Sequence, residues 1–203
     1  MNFTTIKQVV IAVSFVLAAC SAPSFSDKDK LWNYIKDPSK GYLQTKVVNG
    51  YKYSLLYKPT DLLVQQELGS EVTDKKVRKV RNKYKQYLYF TLSMSKNEQE
   101  LLSTVPNNKQ EFGTMVHALA FGMINKVHLF TSKRDTLEML DYHYPRMYGM
   151  SRATTLLFVY PRNKKYLKDE YLTFTVADLG TYTGEVKFTI AVNKIKYEPM
   201  LKL

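Results

Sequence analysis

YLQTKVVNGYKYSLLY, residues 42–57, is the stretch that decides the fold, because two alternating runs flank a tight-turn dipeptide. Asn49-Gly50 in that position is typical of a two-residue hairpin turn of type I′, in which both central residues take positive φ. Side chains at every second position from Tyr51 to Tyr57 would share one face of the second strand. The stretch therefore predicts an antiparallel hairpin that ends before Pro59.

Six stretches further along the chain also carry strand patterns, namely residues 87–94, 127–131, 137–144, 154–160, 171–177 and 186–192. The run TTLLFVY at 154–160 is apolar, which indicates a central strand covered on both faces. Short strands separated by turn residues are typical of a sandwich. The sequence thus predicts a mainly β protein, an immunoglobulin-like or similar β-sandwich with a few inserted or peripheral helices.

The helical patterns lie in the first half of the chain, where apolar residues recur at three- and four-residue spacing behind capping residues. Four stretches are predicted to be helical: residues 27–35 capped by Ser26 or Asp27, residues 60–69 capped by Thr60 or Asp61, the basic residues 70–86, and a stretch from Asn107 or Asn108 to Met123 whose second half could be strand.

The composition limits the partners. The 203 residues carry 30 Lys and Arg against 18 Asp and Glu, a formal net charge of +12, and one cysteine. A positive balance suits nucleic acid, anionic lipid headgroups or acidic glycans. A lone cysteine has no disulfide partner within the molecule, and if the chain is exported this favours a modified residue over a free thiol.

The N-terminus has the layout of an export signal. Met1–Lys7 carries one charge, and Val9–Leu17 is apolar but shorter than the roughly 20 residues of a spanning helix. Leu17-Ala18-Ala19-Cys20 follows and resembles the lipobox of bacterial lipoproteins, an aliphatic residue and two small residues before a cysteine. The resemblance covers residues 1–20 only.

That resemblance implies that residues 1–19 are a signal peptide cleaved after Ala19, and that Cys20 carries a diacylglycerol and an acylated amine. Ser21 rather than Asp follows the cysteine, which implies the outer membrane rather than the inner one. Two alternatives stay open, an unlipidated secretory cut and an ordinary cysteine. Residues 20–27 are then the lipidated cysteine and a short tether, and residues 28–203 a single domain. The domain would then face either the periplasm or the cell surface.

Motifs that carry known chemistry are few. His117, His128 and His143 form no HxxxH or HxH pair, and no CxxC, Gly-x-Ser-x-Gly, phosphate-binding or dinucleotide-binding pattern occurs. We therefore predict no catalytic residue, no metal and no cofactor other than the lipid on Cys20. Carboxylate pairs distant in the chain are left open by the sequence. The export signal argues against nucleic acid as a partner.

Two stretches are candidate contact surfaces. YHYPRMYGMSR combines residue types enriched at protein interfaces, and its candidate residues are Tyr142, Tyr144, Arg146, Tyr148 and Arg152. The alternative is a strand connection whose tyrosines fill the edge of the core. The basic stretch offers contacts with an anionic membrane surface through Lys75, Lys76, Arg78, Lys79, Arg81 and Lys83. The alternative there is a solvated charged helix or strand edge that keeps the domain soluble.

Three functions follow from these patterns. The first is a lipid-anchored envelope protein that acts without catalysis, as an accessory module of a secretion, transport or surface-assembly complex. The second is a glycan- or peptidoglycan-binding lipoprotein, which coplanar aromatics in an open groove would favour and buried tyrosines would disfavour. The third is a hydrolase with dispersed carboxylates, which needs two acidic side chains facing one another in a cleft.

Overall fold

The computed structural model describes residues 22–69, 72–105 and 108–203, and the predicted signal peptide with Cys20 lies outside them. Twelve strands in three sheets contribute about 33% of these residues and helices of all kinds about 34%. The fold is therefore mixed and sheet-rich. The prediction of a mainly β protein underestimated the helices.

The strands are β1 (Ser24–Phe25), β2 (Leu43–Val48), β3 (Tyr51–Tyr57), β4 (Tyr87–Lys96), β5 (Gln99–Glu100), β6 (Val127–Thr131), β7 (Thr136–Leu137), β8 (Asp141–His143), β9 (Thr154–Pro161), β10 (Tyr171–Val176), β11 (Val186–Ala191) and β12 (Met200–Leu201). The α-helices are α1 (Lys28–Lys36), α2 (Thr60–Leu68), α3 (Asp74–Tyr84), α4 (Leu101–Thr104), α5 (Lys109–His117) and α6 (Val192–Lys196). None of the described helices is long and apolar enough to span a membrane.

The largest sheet grows from the predicted hairpin. Its strand order is β2-β3-β4-β9-β8, with β5 paired to the C-terminal end of β4, and its pairs are antiparallel. Asn49 and Gly50 join β2 to β3 with φ of 49° and 77°. Both angles are positive, as a type I′ turn requires, so the hairpin prediction is confirmed.

The second sheet has the order β11-β10-β6-β7, and the third consists of β1 and β12 in parallel. Apolar faces of the two larger sheets meet in one core, where the Phe174 ring of β10 lies 5.7 Å from Phe90 of β4 and 5.6 Å from Phe158 of β9. Burial of such a ring stabilises the fold by about 2 kcal/mol. These aromatic contacts join the two sheets.

Several local predictions were wrong. The predicted strand 137–144 is two strands in different sheets, because β7 pairs with β6 and β8 pairs with β9. β9 alternates buried and half-buried side chains, so only one of its faces is fully covered. The second half of the helix that begins at Lys109 continues as π and 3-10 turns over residues 118–125, not as strand.

The predicted tether and one predicted cap also differ from the structure. Ser24–Phe25 lies within the tether 20–27 but pairs with β12; the Met200 N–H donates to the Pro23 carbonyl and the Lys202 N–H to the Phe25 carbonyl, both at 2.8 Å. The chain is therefore held from Pro23 onward. Thr60 and Asp61 lie inside α2, not at its cap. Asp27 caps α1 as predicted.

Candidate functional site

The largest sheet has two ends that differ in character. β4 spans its full length of ten residues, roughly 30 Å. At one end Tyr87 pairs with Pro161. Arg162 follows, and it lines a small pocket together with Ala22. At the other end Met94 pairs with Thr154, beside residues 144–153. We refer to these as the Ala22 end and the loop end.

A buried carboxylate organises the Ala22 end. Glu198 accepts hydrogen bonds from the Tyr57 hydroxyl (2.8 Å), from the Thr60 backbone N–H (3.1 Å) and hydroxyl (2.8 Å), and from Arg162 Nη2 (2.8 Å). Burial, and then the charge of Glu198, raise the pKa of Tyr57 well above its ordinary value. The phenol therefore remains a donor, and the cluster ties α2 and β9 to the C-terminal segment.

A second ion pair, in which the carboxylate is buried and the guanidinium is partly exposed, lies beside the first. Arg81 of α3 donates two hydrogen bonds to the Asp61 carboxylate, from Nε at 2.7 Å and from Nη2 at 3.1 Å, which is a bidentate geometry. Asp61 also accepts from the Leu201 N–H, and Arg81 donates to the Leu201 carbonyl. The pair joins α2, α3 and β12. Arg81, predicted to contact a membrane surface, is thus engaged within the fold.

The basic helix is real, but only part of it is available to a partner. α3 packs Val77 and Val80 against α2, and Thr73 caps it by accepting the Lys76 N–H at 3.3 Å. Lys83 is ion-paired with Glu67 at 2.7 Å. Within the predicted set the side chains that remain exposed and outside ion pairs of the described chain are Lys75, Arg78 and Lys79, whereas Lys76 is half-buried.

At the loop end a different buried carboxylate shapes the backbone. Glu100 is 3% exposed and accepts the N–H groups of Gly149 at 3.1 Å and Ser151 at 3.0 Å. The pinned loop turns its apolar side chains outward: Tyr148 is 73% and Met150 78% exposed. The loop therefore presents a tyrosine and a methionine side chain to solvent within three residues of one another.

The predicted partner residues divide between core and surface. Tyr142 stacks on Phe158 at 6.0 Å between ring centroids, and Tyr144 is also half-buried, so both fill the edge of the core, as the alternative interpretation held. The remaining three face solvent. The Arg146 guanidinium lies 4.7 Å from the Tyr148 ring centroid, and Arg152 pairs loosely with Glu98 at 3.8 Å.

Sequence reasoning missed a groove of about 700 Å³ at the loop end. It lies between the β2–β3 turn, the start of α5 and residues 178–184, and its lining includes Tyr51, Lys96 and Tyr182. The Lys96 ammonium sits 4.6 Å from the Tyr51 ring centroid. Tyr182 is 86% exposed, at φ 55°. The signal in the sequence was DLGTYTG, an aspartate followed by two glycines around an aromatic residue.

Asp178 builds that loop. Its carboxylate accepts the backbone N–H groups of Gly180 and Thr181 at 2.7 Å, Gly184 at 3.0 Å and Tyr182 at 3.2 Å. Partial burial acts to raise the pKa of Asp178, but these backbone N–H groups outweigh it and hold the pKa below its ordinary value of 3.8. The loop is therefore organised around an ionised carboxylate.

Other chemistry finds little support in the described part of the chain. No group of three or more His, Cys, Asp and Glu side chains there could hold a metal ion. Asp61 and Glu198 do share one small pocket, as the hydrolase alternative requires, but each is bound to an arginine. A carboxylate held in this way is occupied as an acceptor and not presented to a substrate.

Comparison with known proteins adds no assignment. No model of a known protein family matches the chain, and neither a curated protein nor a solved structure matches it.

Proposed function

We propose that the chain is a lipid-anchored protein of the bacterial outer membrane that acts without catalysis, by binding a protein of an envelope complex for secretion, transport or surface assembly. The observation that carries the proposal is the loop 144–153. A buried glutamate holds its backbone while Met147, Tyr148 and Met150 stand in solvent beside Arg146. Tyr, Met and Arg are enriched at the centres of protein interfaces.

The placement of the two ends supports this function. Ala22, two residues from the predicted lipid site, lies at one end of the sheet, and the exposed loop lies beside Met94 and Thr154 at the other end, roughly 23 Å along β4 from Tyr87. A protein held to a bilayer at the Ala22 end would point the loop away from the lipid. Two or three acyl chains hold a domain at a membrane without a spanning helix, since each buried methylene contributes about 0.8 kcal/mol.

Backbone strain points to the same residue. Tyr148 has a φ of 55°, a left-handed conformation that costs a residue with a bulky side chain roughly 1–2 kcal/mol. Strain of this kind persists where the surroundings enforce it and is concentrated at functional positions. Here the Glu100 contacts to Gly149 and Ser151 enforce the turn, so that the tyrosine ring is held outward.

The test is cross-linking of the lipidated protein in its own membranes, followed by mass spectrometry of the captured partner. Tyr148→Asn should abolish the cross-link, because it removes the exposed ring at a position that asparagine tolerates. Tyr182→Asn is the matched control, since Tyr182 has the same φ of 55° and is as exposed. Equal capture of the same protein by wild type and Tyr148→Asn would refute the loop as the contact.

The anchor has its own test. Cys20→Ser should prevent lipid attachment, so that the chain loses its acyl mass and no longer fractionates with the outer membrane. Unchanged processing and fractionation of this variant would remove the proposed location. The cross-linking experiment would then be repeated on the soluble fraction.

A second candidate function is glycan binding in the groove, which the exposed ring of Tyr182 favours. Against it, the tyrosines that line the groove are Tyr51 and Tyr182, and Tyr51 is itself buried. The buried tyrosines of the described chain are six: Tyr42, Tyr51, Tyr53, Tyr57, Tyr89 and Tyr160. Retention of the protein on insoluble peptidoglycan, lost in Tyr182→Asn and kept in Tyr148→Asn, would select this function over the first.

We further propose that the two larger sheets are the layers of a β-sandwich. The ring contacts of Phe174 with Phe90 and Phe158 support this arrangement, because they lie between strands of different sheets. An experimental structure in which the mean strand directions of the two sheets cross at an angle near neither 30° nor 90° would reject it.

A further inference from the structure

A small pocket at the Ala22 end carries more positive charge than its ion pairs use. Its volume is about 100 Å³, and Ala22 forms part of its wall. The charged side chains that line it are Arg81, Lys85, Arg162 and Lys196 against Asp61 and Glu198. Four basic groups face two carboxylates, which leaves a surplus of two positive charges at the pocket, where Lys85 and Lys196 are exposed.

The surplus positive charge lies on two lysines. Asp61 is matched by Arg81 and Glu198 by Arg162, whereas the ammonium groups of Lys85 and Lys196 have no hydrogen-bond or ion-pair partner in the part of the chain that the structure describes. Arg162 also has a buried Nε atom without an acceptor among those residues. The unsatisfied donor and the two unpaired ammonium groups together leave the pocket electropositive, which favours an anionic ligand.

We infer that this pocket binds a phosphate group, and that in the anchored protein the phosphate belongs to an anionic lipid headgroup. The inference rests on the proposed lipid at Cys20. Ala22 is two residues from Cys20, a span of at most about 7 Å. A pocket walled by Ala22 is therefore held at the headgroup level of the bilayer that the acyl chains enter.

The size and chemistry of the pocket select the ligand. The pocket is small, at about 100 Å³, which suits a compact tetrahedral anion such as phosphate. Phosphate oxygens accept hydrogen bonds from lysine ammonium groups, which act as compact point charges, and from guanidinium N–H groups, whose directions are fixed. Lys85 and Lys196 supply ammonium donors, and the guanidinium groups of Arg81 and Arg162 line the same pocket.

The first arm of the test measures phosphate recognition. Purified lipidated protein in neutral detergent is melted with inorganic phosphate or with chloride at equal ionic strength, so that screening is the same. Phosphate should raise the Tm of wild type. Lys85→Gln with Lys196→Gln should weaken the apparent affinity about 25-fold, at about five-fold for each lysine. An equal Tm rise in that double variant, or none in wild type, overturns the inference.

A matched control removes the same number of positive charges at lysines outside the pocket. Lys52 and Lys109 are exposed, and Lys52 lies five residues along β3 from Tyr57, about 17 Å from the cluster around Glu198. Lys52→Gln with Lys109→Gln should melt with phosphate as wild type does. A loss in this control equal to that in Lys85→Gln with Lys196→Gln would mean net charge alone, which also overturns the pocket.

The second arm identifies the source of the phosphate. The lipidated protein is inserted in phosphatidylcholine vesicles with or without phosphatidylglycerol, and the rates of lysine acylation are read by mass spectrometry. Lys85 and Lys196 should be protected about five-fold more by phosphatidylglycerol, while Lys52 and Lys109 are unchanged. Equal protection in both vesicles together with a positive first arm assigns the pocket to free phosphate and overturns the headgroup.

Failure of the anchor is separately visible. If mass spectrometry shows no acyl mass on Cys20, the proposed function fails, and the phosphate arm still reports on the pocket of the unmodified chain. If the acyl mass is present and neither arm responds, the anchor stands and the inference about the pocket is wrong.

Discussion

The two ends of the molecule use buried carboxylates in opposite ways. At the Ala22 end Glu198 and Asp61 accept from side chains of distant elements, so their role is to tie helices and strands together. At the loop end Glu100 and Asp178 accept almost entirely from backbone N–H groups within single loops. At the Ala22 end the carboxylates hold helices and strands together, whereas at the loop end they set the backbone of loops whose tyrosines are exposed. Substitutions at the Ala22 end should therefore change mainly the stability of the fold, and substitutions at the loop end mainly the conformation of the loops.

The largest expected effect is at the Ala22 end. Arg162→Ala removes the cation from Glu198 and leaves a buried carboxylate without its charge partner. The free energy of unfolding, measured with urea, should fall by about 3–5 kcal/mol. Arg162→Met with Glu198→Gln should recover much of that loss, because no unpaired charge then remains buried. A loss under 1 kcal/mol in Arg162→Ala would show that the cluster adds little cohesion.

A smaller effect is expected at the loop end. Glu100→Ala leaves the N–H groups of Gly149 and Ser151 without their acceptor, which should lower the free energy of unfolding by about 2 kcal/mol. Hydrogen exchange at those two amides should quicken more than the global change explains.

Glu98→Ala is the control for that measurement, because Glu98 is 81% exposed and only loosely paired with Arg152. It should change stability by less than about 0.5 kcal/mol. If Glu100→Ala speeds exchange equally in β4 and in the loop, the carboxylate acts on the whole fold, and the contrast between the two ends disappears.

Acid should weaken the groove through Asp178. The pKa of this carboxyl is lowered in the folded protein, so its stabilisation is complete above the ordinary value of 3.8 and disappears as the pH falls through the lower folded value. Asp178→Asn should remove this dependence and cost about 1 kcal/mol at neutral pH, a modest figure because solvent screens a partly exposed group. Unfolding curves of both proteins between neutral pH and pH values below 3.8 provide the measurement.

Local structure was predictable where neighbouring residues determine it. Asn49-Gly50 specified its turn, Asp27 specified the start of α1, and Val77 with Val80 marked the buried face of α3. Each of these features depends on residues within a few positions of one another.

Features that depend on distant partners were not predictable. Alternation over residues 137–144 marks strand but does not say which sheet each half joins. Arg81 looked like a surface cation because its acceptor, Asp61, lies 20 residues earlier in the chain. Ser24 and Phe25 resembled a tether because their partner strand is the last one in the structure. In each case tertiary pairing overrides a composition that is ordinary by itself.

The smallest effect concerns the two displayed tyrosines, and it should have the opposite sign. Tyr148→Asn and Tyr182→Asn each replace a bulky residue at φ 55° with one that tolerates the left-handed conformation. Each should raise the free energy of unfolding by up to about 1 kcal/mol. Tyr197→Asn, at φ −111°, should give no such gain. A gain in stability with a loss of partner or glycan binding would mean that the strained rings serve a contact rather than the fold, whereas a loss of stability would return both tyrosines to a structural role.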